Sequence, residues 1–171
     1  VYMANLSEVA GGHPEVTIKI TWDGSMLYFW MLDDITIREG WDYDVKMNHY
    51  DVELIDDNPL DGAGFYYSVP KTQILPMGGF EGSVINYGDI DLSDVHFNVA
   101  INKNGVEQFN ESSEEVRYMF FADPADTLVI EQSYTPVDYG HYEINFAMKM
   151  LEEDQAPENN EKSFLFHVSD S

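Results

Sequence analysis

From residue 43 onward, apolar residues recur at every second position in short runs broken by turn-forming residues. No stretch carries a helical repeat longer than a turn or two. The runs cover 43–54, 64–69, 79–87, 95–103, 106–109, 115–121, 127–132, 140–150 and 162–168. A run of this kind buries one face only, so it needs neighbours on both sides and a second sheet over its apolar face. The pattern therefore predicts an all-β chain folded as an antiparallel β-sandwich. Asn104-Gly105 lies between two runs and suits a two-residue hairpin, because both residues tolerate positive φ. Residues 151–160 are acidic, contain Pro157 and read as the loop before the last strand, with Asp154 placed to brace Asn159-Asn160.

One run narrows the fold further. Asp138-Tyr139-Gly140-His141-Tyr142 leads into Ile144, Phe146, Met148 and Met150. It resembles the tyrosine corner that opens strand F of immunoglobulin domains, with Ile144 where an antibody domain carries a cysteine. The expected class is thus an immunoglobulin-like sandwich.

The first 40 residues do not fit inside it. Residues 15–22 alternate strictly, with Val16, Ile18, Ile20 and Trp22 on one face, and Asp23-Gly24 signals a turn. A second strand is expected over 26–37, and a third near Tyr2. Three strands cannot close a sandwich, so 1–40 reads as the C-terminal portion of another module and 41–171 as the sandwich, joined at Gly40-Trp41-Asp42. Val1 is neither an initiator Met nor the start of a signal peptide, which leads to the expectation of an excised fragment.

Charge limits the partners. Eight Lys plus Arg stand against 32 Asp plus Glu, a formal charge of −24 that repels phosphate backbones and anionic membranes. Cations are favoured partners, and the same charge serves solubility in an extracellular or salty setting. There are no cysteines, hence no disulfide or thiolate chemistry, and no apolar run long enough to span a bilayer.

Two resemblances follow from particular residues. Trp22-Asp23-Gly24 with Tyr28-Phe29-Trp30-Met31-Leu32-Asp33-Asp34-Ile35-Thr36-Ile37 is similar to the closing strands of choice-of-anchor J modules, jelly rolls related to the MAM domain. This implies partial jelly-roll strands before the sandwich. Residues 43–171 resemble CARDB-type immunoglobulin-like domains. The resemblance rests on Val84-Ile85-Asn86-Tyr87-Gly88, Val95-His96-Phe97-Asn98-Val99, Tyr134-Thr135-Pro136 and Gly140-His141-Tyr142, then Asp154, Pro157, Glu158, Asn159, Asn160 and 164–168. It implies a non-catalytic module of a large secreted or cell-surface protein of Bacteroidota, exported by the type IX system.

Among single residues, Asp33 shares a strand face with Met31, Ile35 and Ile37, and a carboxylate carried toward a core needs a partner. Calcium, Arg38 or water at the strand end would each serve. Related jelly rolls carry structural Ca2+ there, which makes Asp33, with Asp34 beside it, the expected metal site. The loop 56–64 lacks the EF-hand pattern and reads as a solvated turn. Trp41, Tyr43, Phe65, Tyr66 and Tyr67 are the candidate sugar-stacking aromatics. Asp126-Thr127-Leu128 makes Thr127 a candidate O-glycosylation site, and Asn5-Leu6-Ser7 and Asn110-Glu111-Ser112 match the N-glycan acceptor pattern.

Five histidines are scattered without a metal motif, and no nucleophile elbow, phosphate loop or dinucleotide fingerprint occurs. The expectation is a structural or adhesive module that spaces neighbouring domains. The competing expectations are a carbohydrate-binding module and an accessory domain of a secreted hydrolase.

Overall fold

The structure is a computed structural model and describes residues 6–21, 24, 40–54, 68–121 and 124–170. The chain divides into two compact units, Val1–Gly40 and Trp41–Ser171, each considered by itself.

In the first unit, Ser7–Ala10 form a single helical turn, with Ala10 N–H donating to Leu6 O at 2.7 Å. The strand expected at 15–22 does not form. Residues 15–21 pair with nothing as a strand, and Val16, Ile18 and Ile20 remain 51%, 45% and 46% exposed. Alternation only makes a strand possible; its backbone groups need a neighbouring edge, and no described residue supplies one. The expected strands near Tyr2 and over 26–37 lie outside the described residues.

The second unit carries β1 (Val45–Leu54), β2 (Ser68–Pro70), β3 (Met77–Asn86), β4 (Leu92–Lys103) and β5 (Val106–Ser112). Then follow β6 (Val116–Met119), β7 (Asp126–Ile130), β8 (Gly140–Lys149) and β9 (Glu161–Ser169). One sheet has the order β1-β3-β7, the other β2-β9-β8-β4-β5, with β6 added to β4. Together they form the expected all-β immunoglobulin-like sandwich. Pairing is antiparallel except between β2 and β9, which run parallel.

The period-two pattern becomes the core directly. Val95, Phe97, Val99 and Ile101 of β4 are buried, as are Tyr142, Ile144, Phe146 and Met148 of β8, and the register sets Phe97 against Met148 and Val99 against Phe146. Val45, Met47, Phe80, Val84, Leu128 and Ile130 face them from the other sheet. The Phe97 and Phe146 rings stack at 6.1 Å, and Phe80 meets Phe109 at 5.6 Å. A Cβ on Gly82 would fall 2.4 Å from Met148 Cε and 2.7 Å from Phe97 Cδ2, so only glycine lets these side chains touch the β3 backbone.

Both expected turn devices are present. Asn104 and Gly105 take φ of 48° and 80° between β4 and β5. The Tyr142 hydroxyl donates to Asp138 O at 2.9 Å, closing the corner over the buried ring. Replacing Tyr142 by Phe keeps the buried ring but removes this bond, and is expected to lower stability by about 1–2 kcal/mol in urea denaturation without altering the folded-state spectrum.

Candidate functional site

The two ends of the sandwich are built differently. At the end where β1 begins, the incoming segment is fastened on several sides. Trp41 O accepts from Asp89 N–H at 2.8 Å and Asp42 O from Ile90 N–H at 3.1 Å, while Asp44 O accepts from Tyr87 and Gly88 N–H at 2.8 and 3.2 Å. Gly88 is required by this approach: a Cβ there would lie 2.5 Å from Asp42 O and 2.9 Å from Asp44 N. Asn86 locks the same turn, its amide donating to Ile90 O at 2.9 Å and Met119 O at 3.1 Å and accepting from Gly88 N–H at 3.1 Å.

The β8–β9 loop closes the other flank. Tyr43 and Gln155 exchange bonds, with Tyr43 N–H on Gln155 Oε1 and Gln155 N–H on Tyr43 O, both at 3.0 Å. Asp154 accepts from Val45 N–H at 3.0 Å, Ala156 N–H at 2.6 Å and Asn160 Nδ2 at 3.1 Å. The fully buried Asp44 carboxylate accepts from Asn159 Nδ2 at 2.9 Å. Asp154 therefore braces the Asn159-Asn160 turn, as its position in the sequence suggests, and also ties that turn to the first strand. Carboxylates held by fixed amide donors act here as fasteners.

The end where β9 finishes is charged and more open. Lys103 Nζ sits 3.0 Å from Asp138 Oδ2, and Lys71 Nζ lies 4.0 Å from Oδ1 and 4.9 Å from the Tyr139 ring centre. The hydrogen bond from Lys103 holds the Asp138 carboxyl below its ordinary value of 3.8. Its contribution to stability is accordingly present above the unfolded-state pKa and lost as pH falls through the lowered one; full exposure keeps it small. Tyr139 is pushed up, chiefly by its hydrogen bond with Asp170. Burial, then Tyr142, pushes Tyr134 up from 10.0 to about 12.

Of the residues singled out from the sequence, Asp33, Asp34, Phe65, Tyr66 and Tyr67 lie outside the described residues, as does the loop 56–64. Trp41 is half-buried in the fastened segment, and Tyr43 packs against the core. Thr127 is exposed on β7, its N–H bonded to the Asp126 carboxylate at 2.8 Å. Among the described residues no group of three or more His, Asp or Glu could hold a metal ion.

Among the described residues, the most exposed aromatic pair was not among the sequence candidates. Tyr118 and Phe120 are 54% and 56% exposed, and Tyr118 borders a cleft of about 340 Å³ lined also by Val116, Met119, Pro124, Ala125 and Asp126. The Arg117 guanidinium lies 5.5 Å from the Tyr118 ring centre. The available signal was Val116, Tyr118 and Phe120 at alternate positions of one short run.

No protein-family model matches the chain, and no curated protein matches it. Among solved structures it is similar to the CARDB domain of the PF1109 protein from Pyrococcus furiosus. The crystal structure of that domain, in complex with di-metal ions, is 17% identical and covers 82% of this chain and 100% of that one, with a TM-score of 0.44. Its solution structure is 20% identical over 77% of this chain and 99% of that one, with a TM-score of 0.43. A putative lipoprotein, ycdA, from Bacillus subtilis is 11% identical over 75% of this chain and 38% of that one, with a TM-score of 0.29.

Two outcomes test the ends. Asp154→Ala leaves two backbone amides and the Asn160 amide without their acceptor and is expected to cost about 2–3 kcal/mol in urea denaturation, with Asp154→Asn intermediate. Lys103→Met is expected to move the carboxyl titration of Asp138, followed by carbon-13 NMR, up toward the ordinary 3.8.

Proposed function

We propose that residues 41–171 form a non-catalytic structural and adhesive module of a secreted or cell-surface protein, spacing and presenting the domains beside it. The observation that carries this reading is the path of the chain. It comes in at the fastened end and leaves β9 at the opposite end, beside Gly140 and β2. The ten residues of β8 set these ends about 30 Å apart. A module threaded end to end in this way transmits position along its long axis. Calcium at Asp33, with Asp34 as its neighbour, belongs to the same proposal as a stiffening ion for the preceding module.

A second reading is favoured by Tyr118 and Phe120, whose open rings stand near an acidic-rimmed cleft and match the stacking chemistry of a carbohydrate-binding module. Glycan-array screening separates the two. The spacer reading expects no reproducible ligand; specific glycan binding abolished by Tyr118→Ala or Trp41→Ala would replace it. For calcium, thermal melts are compared with the ion and with a chelator. A Tm raised by calcium and lost in Asp33→Asn is expected, and an unchanged Tm removes the ion from the proposal.

A further inference from the structure

Spacing along the sequence keeps the histidines apart, but the β8–β9 register sets His141 directly opposite His167. Their ring centres lie 4.6 Å apart with planes 31° from parallel. Tyr142, Phe166 and Val168 point into the core, so the alternation turns both imidazoles onto the outer face, where His141 is exposed and His167 half-exposed. Ser68 flanks His167 from β2, and Asn104 Oδ1 fixes the backbone of His141 by accepting its N–H at 3.1 Å.

We propose that His141 and His167 form a two-imidazole site for a divalent transition-metal ion such as zinc, nickel or copper, with water filling the remaining positions. An ion about 2.0–2.1 Å from one nitrogen of each ring, with the two bonds at roughly 90–109°, places the ring centres roughly 4.5–5.2 Å apart, and the observed separation falls within that span. Turning the exposed His141 ring about its Cβ–Cγ bond lets the two nitrogens converge. The two cations at this end offer little opposition: Lys103 follows Ile101 on the inner-face parity of β4 with its ammonium 3.0 Å from Asp138, and the Lys71 ammonium lies 4.0 Å from the same carboxylate and over the Tyr139 ring. Imidazole pairs select borderline metals over calcium and magnesium, so the abundant carboxylates of the chain raise the local cation concentration without competing for the same ion. Bound metal links β9 to β8 at the end where the chain leaves the sandwich.

The test is a zinc titration of the whole 171-residue chain in excess magnesium, followed by nitrogen-15 NMR and calorimetry. The expected result is one equivalent bound, with shifts centred on residues 140–142 and 166–168. His141→Ala and His167→Gln each remove the intramolecular second ligand and should weaken binding by on the order of 100-fold, whereas His96→Ala should leave it unchanged. Zinc bound equally well by the double variant, or shifts centred elsewhere in the wild-type chain, overturns the proposal. Because the shift map is read on the wild-type protein, it decides the matter even if a variant folds poorly.

Discussion

Carboxylates that enter a protein interior must be answered, and this chain has eight basic side chains with which to answer 32 acids. The sandwich depends on how that shortage is met at its fastened end. Asp44 and Asp154 take amide donors from Asn159, Asn160, Val45 and Ala156. Amides are fixed by the backbone and by short side chains, so they add geometry along with attraction. The first strand, the β3–β4 turn and the β8–β9 loop are thereby fixed relative to one another before the apolar faces between the sheets are counted.

That fixation explains residue choices that packing alone leaves open. Gly88 is held by the approach of Asp42 and Asp44, and Asn86 satisfies two carbonyls and one amide at once. The opposite end relies on the corner hydroxyl of Tyr142 and on an exposed cluster around Asp138, where solvent shares the electrostatic load. The two ends thus suit different tasks, one gripping the chain and the other remaining accessible.

Much of the sandwich was legible in the sequence because its cues are local. Asn104-Gly105 demands a tight turn, and the alternation from Tyr142 to Met148 can be satisfied only between two sheets. The failure at residues 15–21 has the same physical origin as those successes: alternation records which side could be buried, while pairing depends on an edge that the run itself does not contain. The β2–β9 pairing and the His141–His167 juxtaposition were illegible for a related reason, since the first joins strands distant in sequence and the second depends on the register across the β8–β9 loop. Asp154 was readable as a brace of its own loop, but its bond to Val45, far back in the chain, was not. Tyr118 and Phe120 share the alternation of buried strands yet stay exposed, Tyr118 on the short strand β6 and Phe120 just beyond its end.

The position of β9 has a consequence for how the molecule comes apart. β8 pairs it from Glu161 to Val168, but β2 covers only His167, Val168 and Ser169, so within β9 only His167 and Val168 are held by ladders on both sides. Strands with one partner, β1, β2, β5, β6 and β7, have no such protection. Fluctuations that expose backbone amides therefore begin at these margins and reach β3, β4 and β8 late. The flanks can loosen and re-form while the middle of each sheet holds.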